Sequence, residues 1–66
     1  MKIKVNGDEL EIKSSISLLE LLKEMSLDNR RVVVEYNKEL IQPEKISDIY
    51  LKDGDTLELV SFVGGG

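Results

Sequence analysis

The part of the sequence with the clearest chemical potential is its end, where Val63 precedes Gly64, Gly65 and Gly66. Glycines lack a Cβ atom and accept unusual backbone angles, so a run of them can thread a channel too narrow for side chains. Four extended residues reach about 13–14 Å at ~3.3–3.6 Å each. Such a tail would carry the Gly66 carboxylate into the active site of another protein.

A free carboxylate is a poor electrophile, so this chemistry needs an activation step. Reaction with ATP would turn the carboxylate into an acyl-adenylate, a mixed anhydride that a sulfur donor can attack. Nothing in the sequence is suited to binding Mg-ATP. The glycines do not form a P-loop, because no Lys-Ser/Thr pair follows them and no helix begins there. Activation must therefore come from a partner. The alternative interpretation is a frayed end or a cloning remnant without function.

Three missing residue types limit what the chain itself can catalyse. The sequence contains no Cys, no His and no Trp. It therefore has no disulfide, no Cys/His zinc site, and neither the commonest general base nor the thiol nucleophile. Its 66 residues suffice for one domain with a thin core and no deep cleft. We expect a protein that enzymes act on, not an enzyme, with no cofactor or metal of its own.

Charge and hydropathy bound the partners and the location. No apolar run approaches the ~20 residues that span a bilayer, and the N-terminal stretch lacks the apolar centre of a signal peptide. We therefore expect a cytoplasmic protein that does not bind membranes. The net charge of −4 does not suit a nucleic-acid binder and favours a basic protein partner, although solubility alone would also explain it.

The first half of the chain reads as a hairpin followed by a helix. Apolar and charged residues alternate over 2–5 and 9–13, which predicts two half-buried strands joined by a turn at 6–8. Ser17 and Glu20 have the spacing of a capping box at a helix N-terminus. The helix is predicted to end between residues 25 and 27. Its apolar stripe consists of Leu18, Leu21, Leu22 and Met25, with Ile16 and Leu21 placed as a hydrophobic staple.

The second half reads as short strands and turns. Residues 32–34 are all Val, which favours a strand. A turn at 37–39 and a short strand at 40–41 follow, and Pro43 is expected to stop that strand. Residues 46–51 form an irregular stretch, residues 52–55 a turn, and residues 56–62 the last strand. The irregular stretch is anchored by Ile46, Ile49 and Leu51.

This order predicts an α+β fold of the β-grasp, ubiquitin-like type. A mixed sheet of about four to five strands would pack on one central helix, with the first and last strands as central neighbours. We expect the β-grasp domain to cover residues 1–62 and a flexible glycine tail to cover residues 63–66.

A sheet covered by one helix has an open face, and strand alternation predicts which residues lie on it. In the last strand, Val60 and Phe62 should face solvent, and Val33 should join them from the third strand. An exposed aliphatic and aromatic cluster at the base of the tail, with Val63 beside it, predicts a docking surface. The competing interpretation is that scattered apolar residues on a sheet are normal.

The chain resembles the bacterial sulfur carrier proteins of thiamine biosynthesis, the ThiS family, over essentially its whole length. A terminal Gly-Gly is shared by all ubiquitin-like carriers and is not specific by itself. The resemblance therefore rests on the combination of chain length, fold pattern and ending. The matching segments are Asn6-Gly7, the Leu-rich stretch 18–22, Val32-Val33-Val34-Glu35, Asn37-Lys38-Glu39, Asp53-Gly54-Asp55 and Phe62-Val63-Gly64-Gly65-Gly66.

The resemblance implies a cycle of reactions at Gly66. A ubiquitin-activating-type adenylyltransferase, using ATP and Mg, would adenylate Gly66. Sulfur from cysteine, relayed by a cysteine desulfurase, would convert it to a thiocarboxylate. Thiazole synthase would then take that sulfur to build the thiazole phosphate of thiamine. The family's functional positions correspond to Gly65 and Gly66. Gly64 exceeds the minimal Gly-Gly ending, so the tail length that is required stays open.

Three alternatives stay open at this point. The small subunit of molybdopterin synthase has the same fold and chemistry. A ubiquitin-like modifier would instead form isopeptide bonds with lysines, and a plain interaction module would leave its glycines unused. Intact mass distinguishes them, because a thiocarboxylate exchanges one oxygen for sulfur whereas a conjugate gains a whole protein.

Overall fold

The computed structural model describes residues 1–61 and contains five strands, one α-helix and one 3₁₀ helix. The elements in chain order are β1 (Lys2–Val5), β2 (Asp8–Glu11), α1 (Leu18–Glu24), β3 (Val32–Tyr36), β4 (Glu39–Ile41), the 3₁₀ helix (Pro43–Asp48) and β5 (Thr56–Ser61).

The five strands form one mixed sheet in the order β2-β1-β5-β3-β4. Strands β1 and β5 run parallel, and every other neighbouring pair is antiparallel. The first and last strands are therefore neighbours inside the sheet, as the sequence predicts. Strand β5 lies in the middle of the sheet, so its backbone is held on both sides.

The core lies between the sheet and the helices. The inward residues of alternate strand positions meet the buried leucines of α1 and the anchors of the segment after β4. The buried apolar residues are Ile3, Val5, Ile12, Leu18, Leu21, Leu22, Val32, Val34, Ile46, Leu51, Leu57 and Leu59. This arrangement is the predicted α+β layer of one sheet on one helix.

Helix α1 begins with the predicted capping box. The Ser17 hydroxyl accepts from the Glu20 backbone N–H at 3.1 Å, and the Glu20 carboxylate accepts from the Ser17 backbone N–H at 3.1 Å. Two N–H groups that the first turn leaves without helical partners are thus satisfied. Ile16, the predicted staple residue, is half-buried against the core.

The predicted stripe of α1 is wrong at Met25, which is 39% exposed. The helix stops at Glu24, and Ser26 takes a left-handed conformation with φ 60°. The Leu27 N–H then donates to the Leu22 carbonyl at 2.8 Å, the pattern of a Schellman motif. This reversal carries Met25 away from the core, and Leu27 packs there in its place.

Several boundaries also differ from the predicted ones. Strand β2 ends at Glu11, although buried Ile12 follows it, and β3 extends to Tyr36. Pro43 does not simply stop β4, because it begins the 3₁₀ helix, where its missing N–H costs no hydrogen bond. Within residues 1–61, no helix is long and apolar enough to cross a bilayer.

Candidate functional site

The open face of the sheet carries a small apolar cluster beside the end of β5. Val33 on β3 lies directly opposite Val60 on β5, and both side chains point away from α1. Val33 is 36% exposed and Val60 is 58% exposed, whereas Val32, Val34 and Leu59 on the other face are buried. The strand alternation predicted from the sequence therefore agrees with the structure, while a docking role for these residues stays a prediction.

Leu40 extends this cluster, and the sequence analysis missed it. It lies on β4 opposite Glu35 and is 62% exposed. A shallow groove of about 190 Å³ runs between Val33 and Leu40, and Val32, Ile41, Gln42 and Pro43 complete its lining. The signal in the sequence was the alternation of Leu40 with Ile41, because only one of them can face the core. The groove has enough volume for an aliphatic side chain.

Two carboxylates lie in the same part of the open face. Glu35 on β3 is directly opposite Glu58 on β5, one pleat away from the Val33–Val60 pair. Both side chains are exposed. The arrangement contrasts with β1 and β2, where Lys2 and Lys4 lie opposite acidic residues. We name Val33, Val60, Leu40, Glu35 and Glu58 together the open-face patch.

The last described residue, Ser61, lies directly next to the open-face patch. Strand β5 ends at Ser61, which lies opposite Val32 and follows Val60. The remaining predicted site residues, Phe62, Val63, Gly64, Gly65 and Gly66, lie outside the described residues. Five extended residues reach at most about 17–18 Å. A protein that binds the Gly66 carboxylate must therefore come close to this patch.

An asparagine side chain holds β5 where its pairing with β1 ends. The Leu59 N–H donates to Asn6 Oδ1 at 2.7 Å, and Asn6 Nδ2 donates to the Leu59 carbonyl at 3.2 Å. The amide group thus replaces one residue of a strand, since β1 has already turned at Asn6 and Gly7. It satisfies a backbone N–H and C=O on the last described part of β5, which keeps the base of the tail in place.

Asp55 anchors the other end of β5. It is 5% exposed, and its carboxylate accepts from the Tyr36 hydroxyl at 2.8 Å and the Lys52 backbone N–H at 2.7 Å. Asn37 Nδ2 donates to the same carboxylate at 3.2 Å. Burial acts to raise the pKa of Asp55, but these donors outweigh it and the pKa is lowered. The carboxylate is therefore a charged structural centre.

The pKa of Tyr36 is shifted in the opposite direction to that of Asp55. Burial, together with its hydrogen bond to the Asp55 carboxylate, raises the pKa of its phenol to about 12. Both groups are thus held in the form that keeps the hydrogen bond. They lie at the Thr56 end of β5, opposite the end at Ser61 from which the tail continues, so we assign them no chemical step. Among residues 1–61, no three Asp or Glu side chains are grouped to hold a metal ion.

Comparison with known proteins gives a consistent result. The model of the ThiS family matches residues 3–66. The sulfur carrier protein ThiS of Bacillus subtilis is 38% identical over 65 residues, covering 97% of this chain and 98% of that protein. The crystal structure of the thiamine biosynthesis protein ThiS from Geobacter metallireducens superposes with a TM-score of 0.83 at 33% identity, with both chains covered completely.

A relative of a different size also matches the whole chain. A thiazole synthase of Paramagnetospirillum magneticum is 39% identical over 66 residues, which are 100% of this chain and 20% of that protein. The chain thus spans about a fifth of the length of this relative. The family match over residues 3–66, the full-length relative and the shared β-grasp structure agree with one another. The chain belongs to the ThiS family.

Proposed function

We propose that this chain is a sulfur carrier of thiamine biosynthesis whose Gly66 carboxylate is converted to a thiocarboxylate. The observation that carries the proposal is the ThiS-family match, which reaches residue 66 and so includes the glycine ending. The name of the Bacillus relative, a sulfur carrier protein, supports the same chemistry. A carrier protein needs a surface that its partner enzymes can bind, and the open-face patch beside Ser61 offers one.

The reaction sequence begins with activation of Gly66. One carboxylate oxygen attacks the α-phosphorus of ATP, pyrophosphate leaves, and an acyl-adenylate forms. The terminal sulfur of a persulfide supplied by a cysteine desulfurase relay then attacks the acyl carbon, AMP leaves, and an acyl disulfide forms. A second thiol, from the relay protein or a thiol reductant, attacks the sulfur that came from the relay cysteine, so that this thiol and the relay cysteine become a disulfide. The product is a thiocarboxylate, whose sulfur is a better nucleophile than the original oxygen. Gly64 and Gly65 let the tail pass through a narrow channel to the reacting atoms.

In this proposal the partners supply the catalytic groups. The chain has no His and no Cys, so it offers neither an imidazole base nor a thiol to the reaction. ATP and Mg bind to a ubiquitin-activating-type adenylyltransferase and not to this chain. The carrier is a co-substrate that presents its carboxylate, and we infer that it is not itself an enzyme. We place these steps in the cytoplasm.

Thiazole synthase is the acceptor that the comparisons favour. A segment matching this entire chain occurs within a protein named thiazole synthase. Joining a carrier to its acceptor replaces an encounter in solution by an intramolecular one at a high effective concentration. That arrangement is useful only if the two parts act together. The molybdopterin synthase alternative shares the fold and the chemistry, and fold alone does not distinguish the acceptor.

The test of the proposal follows labelled sulfur from Gly66 to a product. The carrier is incubated with the activating enzyme, ATP, Mg and a desulfurase with labelled cysteine, and its intact mass is measured. We expect the mass change of one oxygen-to-sulfur exchange. The loaded carrier is then offered separately to thiazole synthase and to the large subunit of molybdopterin synthase. Label is expected in thiazole phosphate. Label in molybdopterin instead, or conjugation to protein lysines, would contradict the proposal.

A further inference from the structure

The charges on the open face are arranged in two different ways. On β1 and β2, Lys2 lies opposite Glu11 and Lys4 lies opposite Glu9, so opposite charges face each other across the strands. On β3 and β5, Glu35 lies opposite Glu58. Directly opposed residues have Cβ atoms only about 4.5–5.5 Å apart. The like-charged pair therefore stands out against the pattern of the same sheet.

This pair opposes folding of the isolated domain. Like charges directly across an antiparallel pair are destabilising, whereas opposite charges in such positions stabilise. In the described part of the chain, no cation forms an ion pair with Glu35 or Glu58. A sequence that breaks a local rule of stability commonly does so at a functional position. The pair also lies within an exposed apolar cluster, which is where a partner would exclude water.

An arginine has the chemistry to complement these groups. Its planar guanidinium presents several N–H donors that can bind two carboxylates at once, and its aliphatic stem can lie on apolar side chains. Val33 and Val60 are one pleat from the two carboxylates, and Leu40 lies opposite Glu35. A cation bound between Glu35 and Glu58 would thus have its stem on the valines, and an adjacent aliphatic residue would enter the groove beside Leu40.

We propose that thiazole synthase docks on the open-face patch through a basic side chain, most simply an arginine, that bridges Glu35 and Glu58. This inference rests on the proposed function, which names thiazole synthase as the acceptor of the sulfur. The position of Ser61 supports this site, because it follows Val60 at the end of β5 and the five residues after it reach at most about 17–18 Å. An acceptor that holds Gly66 must therefore lie within that distance of the open-face patch.

Stability of the isolated carrier and affinity for thiazole synthase are expected to change in opposite directions. Glu35→Gln and Glu58→Gln each remove the repulsion, so the melting temperature of the isolated carrier is expected to rise. The same variants remove half of the cation's site, so the Kd for thiazole synthase is expected to rise on the order of tenfold or more. A variant that is merely misfolded would not show this combination.

Glu9→Gln is the matched control, because Glu9 lies on the same face and the substitution changes the net charge equally. It removes the carboxylate that lies directly opposite Lys4 in the strand register, so the melting temperature should stay unchanged or fall. Binding to thiazole synthase should remain within about twofold, since general electrostatic steering is a weak effect at physiological salt. Equal weakening by Glu9→Gln and Glu35→Gln would reduce the effect to net charge and overturn the proposal.

The experiment uses calorimetric titration of the intact carrier into thiazole synthase of the same organism. Unchanged affinity of both Gln variants would overturn the inference while leaving the proposed function intact. Loss of binding to the activating enzyme alone, with thiazole synthase unaffected, would also overturn it. If the unaltered carrier does not bind thiazole synthase and transfers no label to it, the proposed function fails and the inference fails with it.

Discussion

At the scale of single residues, the backbone conformation of the two hairpin loops decides which residue types fit there. Asn37 and Lys38 both have positive φ, 51° and 71°, in the two-residue loop between β3 and β4. Asn6 and Gly7 take the same conformation between β1 and β2, with φ of 53° and 87°. Loops of this kind favour Asn-Gly, because the second position penalises a Cβ atom. Lys38 is thus the unfavourable residue of the two hairpins.

Lys38→Gly is expected to raise the free energy of unfolding by about 0.5–1 kcal/mol, because relief of the left-handed strain exceeds the entropy cost of glycine. Urea unfolding measures the change. Lys45→Gly is the control, because Lys45 lies in the 3₁₀ helix without positive φ, and it should be destabilising. A loss of stability in Lys38→Gly would show that the Lys38 side chain contributes more than its backbone costs.

The position of Gly66 matters for the proposed chemistry, because its carboxylate is the proposed reactive group. Removing Gly66, or adding one residue after it, is expected to abolish sulfur loading while leaving the melting temperature unchanged. The reason is that the carboxylate moves by one residue, about 3.5 Å, relative to a rigid active site. Intact mass after incubation with the activating enzyme, beside thermal melting, measures both. Full loading of either variant would contradict the assigned role of Gly66.

At the scale of elements, α1 is only seven residues long and depends on its ends. A helix this short is not stable alone, so packing and capping must hold it. Its N-terminus has the reciprocal bonds of Ser17 and Glu20, and its C-terminus has the reversal at Ser26. These bonds orient the three buried leucines of α1 toward the core face of the sheet. The open-face patch lies on the other face.

Ser17→Ala is expected to lower the free energy of unfolding by about 1 kcal/mol, because the Glu20 N–H loses its acceptor. Sulfur loading should be unaffected, since the cap lies on the core side of the sheet. Urea melts measure the stability. Ser14→Ala, at an exposed position before the helix, serves as the control and should change little. An unchanged midpoint for Ser17→Ala would mean that the cap contributes nothing to stability.

At the scale of the whole molecule, polar side chains connect distant parts of the chain. Asn6 bonds to Leu59 across 53 residues, and Tyr36 bonds to Asp55 across 19 residues. The first contact holds β5 itself and the second holds the residue directly before it, and β5 runs through the middle of the sheet. Stability and presentation of the tail therefore depend on the same strand.

Tyr36→Phe is expected to destabilise the domain by about 1.5 kcal/mol at pH 7, because Asp55 loses a donor to its charged carboxylate. The folded pKa of Tyr36, about 12, lies above its ordinary value of 10.0. The phenol thus contributes stability that is complete below pH 10 and is lost as the pH rises toward 12. The difference between the unaltered protein and Tyr36→Phe should shrink over that range.

Urea unfolding at a series of pH values measures this difference. Tyr50→Phe is the matched control, because the Tyr50 side chain is 62% exposed. Its effect on stability should be small at pH 7. A Tyr36→Phe deficit that persists unchanged above pH 12 would show that the loss does not come from the proton that Tyr36 donates to Asp55.

The sequence by itself determined the α-helix, the five strands, their order and the outward positions of Val33 and Val60, but not the 3₁₀ helix or the outward position of Leu40. Alternation over residues 2–5 and 56–62, the capping box at Ser17 and the Asn-Gly turn are local signals, because each depends on neighbours a few residues apart. The family resemblance and the glycine ending likewise needed no coordinates. The local signal was wrong at Met25, where the helix end depends on a left-handed residue, Ser26, that propensity does not identify.

Only the tertiary structure decided the register of the strands and the contacts that follow from it. Register placed Val33 against Val60, Glu35 against Glu58, and Leu40 beside the groove. Alternation along one strand predicts on which face of the sheet a residue lies, but not which residue of the neighbouring strand lies opposite it. That choice is made by packing of the whole core and by turn geometry, since a slip of one residue would bring every buried side chain to the open face.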